Sequence, residues 1–153
     1  MKKRAANKVL GLTVFILFFF LASSSLAAEY VSVSKDGVNL RSGPGTDREI
    51  LWEVFKGFPL QVIARKGKWV HTVDFEGDKG WLYAPLASQK KTVIVKVNLA
   101  NMRLGPGTNY EIVARVKYGV VFTPVDSKGD WVKVKHQDGT TGWISKDLLW
   151  PGS

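Results

Sequence analysis

One stretch of this chain occurs twice. Asn39-Leu40-Arg41-Ser42-Gly43-Pro44-Gly45-Thr46 returns 62 residues later as Asn101-Met102-Arg103-Leu104-Gly105-Pro106-Gly107-Thr108. The register then holds without a gap. Glu49-Ile50 matches Glu111-Ile112, Gly57 matches Gly119, Lys66-Gly67 matches Lys128-Gly129, Trp69-Val70 matches Trp131-Val132, and Gly80-Trp81 matches Gly142-Trp143. The chain is a duplication, so its fold must be one that about 60 residues can complete. That period exceeds a solenoid unit, which needs neighbours to bury its face, and suits an autonomous domain close to the size where a single core becomes marginal. With no cysteine in the chain, neither disulfides nor thiolate-bound metal can reinforce so small a core. Six Trp and, of the eight Phe, the four beyond residue 28 supply large apolar area instead.

The local patterns are those of strands. Val93-Ile94-Val95-Lys96-Val97, Ile112-Val113-Ala114-Arg115-Val116 and Trp131-Val132-Lys133-Val134-Lys135 are short, β-branched and partly alternating. Turn chemistry separates them. Gly43-Pro44-Gly45 and Gly105-Pro106-Gly107 predict type II turns, with Pro presetting φ and the following Gly taking positive φ. Asp138-Gly139, and more weakly Glu76-Gly77, predict hairpin tips. Beyond the N-terminal segment no helical period persists, and Ser145-Lys146-Asp147-Leu148 predicts one helical turn at most. Each copy is therefore expected to be a small all-β barrel, since closure removes exposed edges. Ala87-Ser88-Gln89-Lys90-Lys91 is the expected connection; short and free of Gly and Pro, it predicts a restricted angle between the barrels.

Both copies carry one ordered series: Asn-x-Arg-x-Gly-Pro-Gly-Thr, a Gly before an apolar strand, Gly-x-Trp-Val, and Gly-x-x-Gly-Trp-(Leu/Ile). That series resembles the bacterial SH3-like domain. The resemblance implies two strongly bent barrels of five to seven strands in tandem, of the kind found in exported proteins, often attached to cell-wall hydrolases. It also implies a partner, either peptidoglycan or another cell-envelope polymer. No hydrolase sequence accompanies the two copies, so the resemblance implies a binder rather than an anchor for an enzyme.

Residues 1–28 read as an export signal: Lys2, Lys3, Arg4 and Lys8 precede an apolar run from Val9 to Ala22, and Ser25-Leu26-Ala27 fits the small-x-small cleavage pattern. Uncut, Val9 to Ala28 would be just long enough for a membrane anchor. Cleavage is the expectation, with domains at 29–88 and 89–153, no membrane insertion afterwards, and a location in the periplasm or envelope. The formal charge of +9 is uneven. Residues 29–88 hold eight basic and eight acidic side chains, and residues 89–153 hold ten and five. Export and this modest, mixed charge exclude nucleic acid as the expected partner.

No catalytic set is legible. There is no Cys, and His71 and His136, the only histidines, fall at non-equivalent positions of the repeat. Asp74, Glu76 and Asp78 alternate near a hairpin tip and read as its solvated end. The Gly-Pro-Gly segments lack the Lys-(Ser/Thr) and following helix of a phosphate loop. Neither enzyme activity nor a cofactor or metal is expected.

The two copies serve as controls on each other. Residues present in both, such as Trp69/Trp131 and Trp81/Trp143, read as requirements of the barrel. Arg41 and Arg103 read chiefly as loop-fixing groups that also rank as candidate ligand contacts. Leu60/Phe122 and Phe58/Val120 exchange apolar for apolar and read as core. Bulky residues present once cannot be needed by the common fold. Trp52, Phe55, Phe75 and Tyr83 stand opposite Ala114, Lys117, Gln137 and Ser145. Trp52, Phe55 and Tyr83 are thus expected to form an aromatic groove, with packing between the barrels as the competing role. Tyr110, Tyr118 and Lys117, which replace Arg48, Lys56 and Phe55, are the candidate contacts of the second copy, whose added lysines would face anionic polymer. A peptide-binding adaptor for an envelope protein is the second expected function.

Overall fold

A computed structural model describes residues 26–152. All but the last three residues of the expected export signal lie outside the described residues. No helix among the described residues is long and apolar enough to cross a membrane.

The described chain is all-β. Strands β1 (Glu29–Val33), β2 (Val38–Arg41), β3 (Ile50–Val54), β4 (Pro59–Lys66), β5 (Trp69–Val73), β6 (Lys79–Tyr83) and β7 (Ala87–Ser88) form one seven-stranded sheet in the order β3-β2-β6-β5-β4-β1-β7. The second copy repeats it with β8 (Val93–Val95), β9 (Leu99–Arg103), β10 (Ile112–Lys117), β11 (Val121–Lys128), β12 (Trp131–Lys135), β13 (Thr141–Ser145) and β14 (Leu149–Trp150), in the order β10-β9-β13-β12-β11-β8-β14. One 3₁₀ turn precedes each final strand, at Ala84–Leu86 and Lys146–Leu148, the second within the segment expected to hold a helical turn. Ala87 and Ser88, expected in the connection, pair with β1 instead and shorten the link between the sheets.

Period-2 alternation decides which side chains are inside. On β5 and β6, Val70, Thr72, Gly80 and Leu82 are buried while their neighbours face out, and β12 and β13 repeat this with Val132, Val134, Gly142 and Ile144. Bulges between Val62 and Ala64, and between Pro124 and Asp126, bend the two long strands at matching places. Leu60, Phe58 and Phe122 are buried and Val120 packs on the second core, as core exchange predicts.

The type II turns are not what forms. Neither Gly45 nor Gly107 is among the positive-φ residues. Gly45 N–H donates to Gly43 O (3.0 Å), closing a three-residue turn around Pro44, and Gly107 repeats it on Gly105. These glycines are needed for space: a Cβ on Gly45 would run into the Asp47 carboxylate, and one on Gly105 into the Tyr110 ring.

The cores are not independent. Ile94 of β8, 1 % exposed, belongs to the core of the first barrel, and Val121 and Trp150 also pack against that core. The Trp150 ring meets Tyr30 edge-on at 5.4 Å. The Ser32 hydroxyl donates to Lys90 O (2.7 Å) and the Thr92 hydroxyl to Gly57 O (2.7 Å), so the link is tied to the first barrel at both ends. In β8 and β14 the cross-strand pair at the seam is Ile94–Trp150, whereas the matching pair of β1 and β7 is Ser32–Ser88. The copies differ there because only one presents that face to the other.

Candidate functional site

The expected aromatic groove is divided. Trp52 and Phe55, at the end of β3, line a cleft of about 260 Å³ together with Phe58, Phe75, Ile94 and Tyr118. Trp52 is half-buried against the first core, and its indole lies over Gly80, 3.5 Å from where a Cβ would stand. Phe55, Phe58 and Phe75 meet edge-on in succession at 5.5 and 6.0 Å. Tyr118, from the second barrel, packs on Phe75 at 5.2 Å and donates its hydroxyl to Glu76. That bond pushes the phenol's pKa up to about 12, because ionising it would set a phenolate against a carboxylate. This cleft is part of the seam, the packing role that competed with ligand binding. Tyr83 is not in it.

Asp74, Glu76 and Asp78 bring their carboxylate oxygens within 4.8 Å of one another. Asp74 is buried rather than solvated. Its Oδ1 accepts the backbone N–H groups of Glu76 (2.9 Å) and Asp78 (3.0 Å), so it shapes the hairpin tip that Tyr118 touches. Burial is the largest influence on this carboxyl and holds its pKa above the ordinary value.

Arg41 and Arg103 do the same work in each copy. Arg41 Nη1 donates to Thr46 O (3.0 Å) and Arg48 O (2.8 Å), and Arg103 Nη1 to Thr108 O (3.0 Å) and Tyr110 O (2.8 Å). Each guanidinium fastens its Gly-Pro-Gly loop from below. Tyr110 lies against Gly105, as Arg48 lies against Gly43, and Lys117 is exposed at the end of β10.

On the opposite flank of β8 from the small cleft, the seam opens into a groove of about 840 Å³. Tyr30, Val93 and Val125 line it with Lys90, Lys91 and Lys146; Asp126 is its one acidic residue. The side chains of Val93 and Ile94 separate the two hollows, as neighbours on a strand must.

The outer face of the first barrel carries a feature that copy comparison missed. Trp69 pairs with Tyr83 and His71 with Trp81 across β5 and β6. The Trp69 and Tyr83 rings stand 5.4 Å apart, and His71 stacks flat on Trp81 at 4.6 Å with 5° between the planes. Neither tryptophan packs against either core, and Tyr83 is exposed. Trp69 and Trp81, read as requirements of the barrel because both copies have them, each stand on the strand face opposite Val70 and Leu82, half-exposed. The parity of the two segments was the available signal. In the second barrel the same rows read Trp131–Ser145 and Lys133–Trp143, so two rings of four are replaced by polar groups.

Comparison with known proteins follows the duplication. The model of the bacterial SH3 domain family matches residues 34–89 and again 96–151. The putative N-acetylmuramoyl-L-alanine amidase YrvJ of Bacillus subtilis is 29% identical over 147 residues, which cover 89% of this chain and 28% of that protein. The probable cell wall amidase LytH of Staphylococcus epidermidis is 28% identical over 65 residues, covering 42% of this chain and 22% of that protein. This chain thus spans less than a third of the length of either relative. Among solved structures, an NlpC/P60 family protein from Bacillus cereus aligns with a TM-score of 0.38 at 14% identity, over 79% of this chain and 55% of that one.

Proposed function

The chain belongs to the bacterial SH3 domain family, and from that premise we propose that it is a non-catalytic, exported binding protein for peptidoglycan or another cell-envelope polymer. Residues 1–28 act as a removed signal, and 29–88 and 89–153 are its two domains, working in the periplasm or envelope. The observation that carries this reading is the groove at the seam. It is concave and lined from both barrels by apolar side chains, three lysines and one aspartate, with Ala27 and Ala28, which leave with the signal, at its edge. Such a groove suits an extended segment bearing carboxylates, as cell-wall polymers do. Two relatives, one named as a putative N-acetylmuramoyl-L-alanine amidase and one as a probable cell wall amidase, support the class of partner; the activity in those names belongs to much longer proteins.

Co-sedimentation of the purified protein with peptidoglycan sacculi tests it. Pelleting at low salt that weakens as salt rises is expected, because exposed lysines are screened beyond about 10 Å at 0.1 M. Exchanging Lys90, Lys91 and Lys146 for Glu should abolish the salt-sensitive part. Absence of pelleting at any salt overturns the reading and favours the adaptor function, in which a peptide of an envelope protein is the partner.

A further inference from the structure

We propose that the outer face of β5 and β6 is a second binding site, one that takes the ring faces of an acidic glycan, with Trp69, His71, Trp81 and Tyr83 as the stacking groups. The choice of glycan rests on the envelope reading above; the site itself rests on three observations.

The first is the alignment. Strand register places Arg41, Trp81 and His71 in one row across β2, β6 and β5, and Tyr83, Trp69 and Lys66 in the next row across β6, β5 and β4. Rows on one face of a strand lie about 7 Å apart. Two ring pairs at that interval form a continuous flat platform, comparable in pitch with successive six-membered sugar rings. A rigid aromatic surface offers contact area at small entropic cost and accepts the C–H faces of pyranose rings.

The second is that two of the four rings, His71 and Tyr83, have no structural duty. Buried aromatics are explained by the core they fill, but Trp69 and Trp81 pack against neither core, and Tyr83 is 37% exposed. The second barrel folds with Lys133 and Ser145 where the first has His71 and Tyr83, so the barrel requires neither ring. This duplicate position is an internal control: His71 and Tyr83 were kept or acquired for something other than folding.

The third is charge. Lys79, Val73 and Gln61 form the next row outward, and with Arg41 and Lys66 the three rows carry cations at their margins and no acidic side chain. Cationic margins around stacked rings favour a glycan that carries carboxylates over a neutral one.

The experiment uses the purified protein with two soluble probes, neutral chitotetraose and a tetragalacturonate whose rings carry carboxylates, read by tryptophan fluorescence and by NMR shifts of the indole N–H groups. Both probes should perturb Trp69 and Trp81, and the carboxylate-bearing one should bind more tightly at low salt. The paired variant His71→Lys with Tyr83→Ser puts the second barrel's residues on the first, which safeguards folding. It should weaken probe binding by about fivefold or more, the range of a lost aromatic anchor. Trp81→Ala should do at least as much, with its circular dichroism and melting checked beside the wild type. Unchanged affinity in the folded paired variant overturns the platform. If sacculi fail to pellet the wild type while the free sugars still shift these indoles, the envelope reading falls and the platform stands. Perturbation by aromatic peptides but by neither sugar would reassign the face to a protein partner and overturn the glycan proposal.

Discussion

At the scale of single residues, Asp74 shows how a position can be costly and still kept. Its carboxylate organises the β5–β6 tip through two backbone N–H groups, yet it is buried beside Glu76 and Asp78. A folded pKa above the unfolded value favours the fold at pH below 3.8, and that contribution is lost as pH rises through the folded value. Asp74→Asn keeps the accepting oxygen and removes the charge. It should therefore melt higher than the wild type at neutral pH, with the gap closing as the pH is lowered past the carboxylate range. A gap that persists in acid would trace the effect to packing rather than ionisation. The residue-level lesson of the platform is different. Presence in both copies made Trp69 and Trp81 read as requirements of the barrel, while parity with Val70 and Leu82 already placed them on the outer face.

At the scale of elements, the Gly-Pro-Gly loops depend on an arginine rather than on a turn type. Arg41 and Arg103 each satisfy two loop carbonyls that no strand partner reaches. Replacing Arg103 by Ala should cost about 1.5–3 kcal/mol in urea unfolding, the range for hydrogen bonds from a charged donor. Lysine should restore little, since an ammonium cannot reproduce the planar fork. A loss no larger than that of a neutral surface substitution would mean the loop holds itself. Pro and Gly announced a turn at these positions, whereas its geometry depended on a side chain that precedes the loop and folds back beneath it.

At the scale of the whole molecule, the seam makes two domains behave as one. Ile94 sits in the first barrel's core, so the second barrel completes the first. The wild type should unfold in a single calorimetric transition. Giving the second copy the first copy's polar pair, with Ile94→Ser and Trp150→Ser, should lower stability by roughly 2–5 kcal/mol and separate the transitions. A single undivided transition in that variant would show that the barrels are coupled elsewhere. Much of this protein was determined by sequence alone. The duplication, the all-β class, the family and the absence of cysteine chemistry are local or periodic properties, and each is written in residues near one another in the chain. The division of the one-copy aromatics was not. Trp52 and Phe55 went to the seam and Tyr83 to the outer platform because burial depends on which surfaces meet. That meeting is set by strand register and by two barrels closing on each other, across separations that no local pattern records.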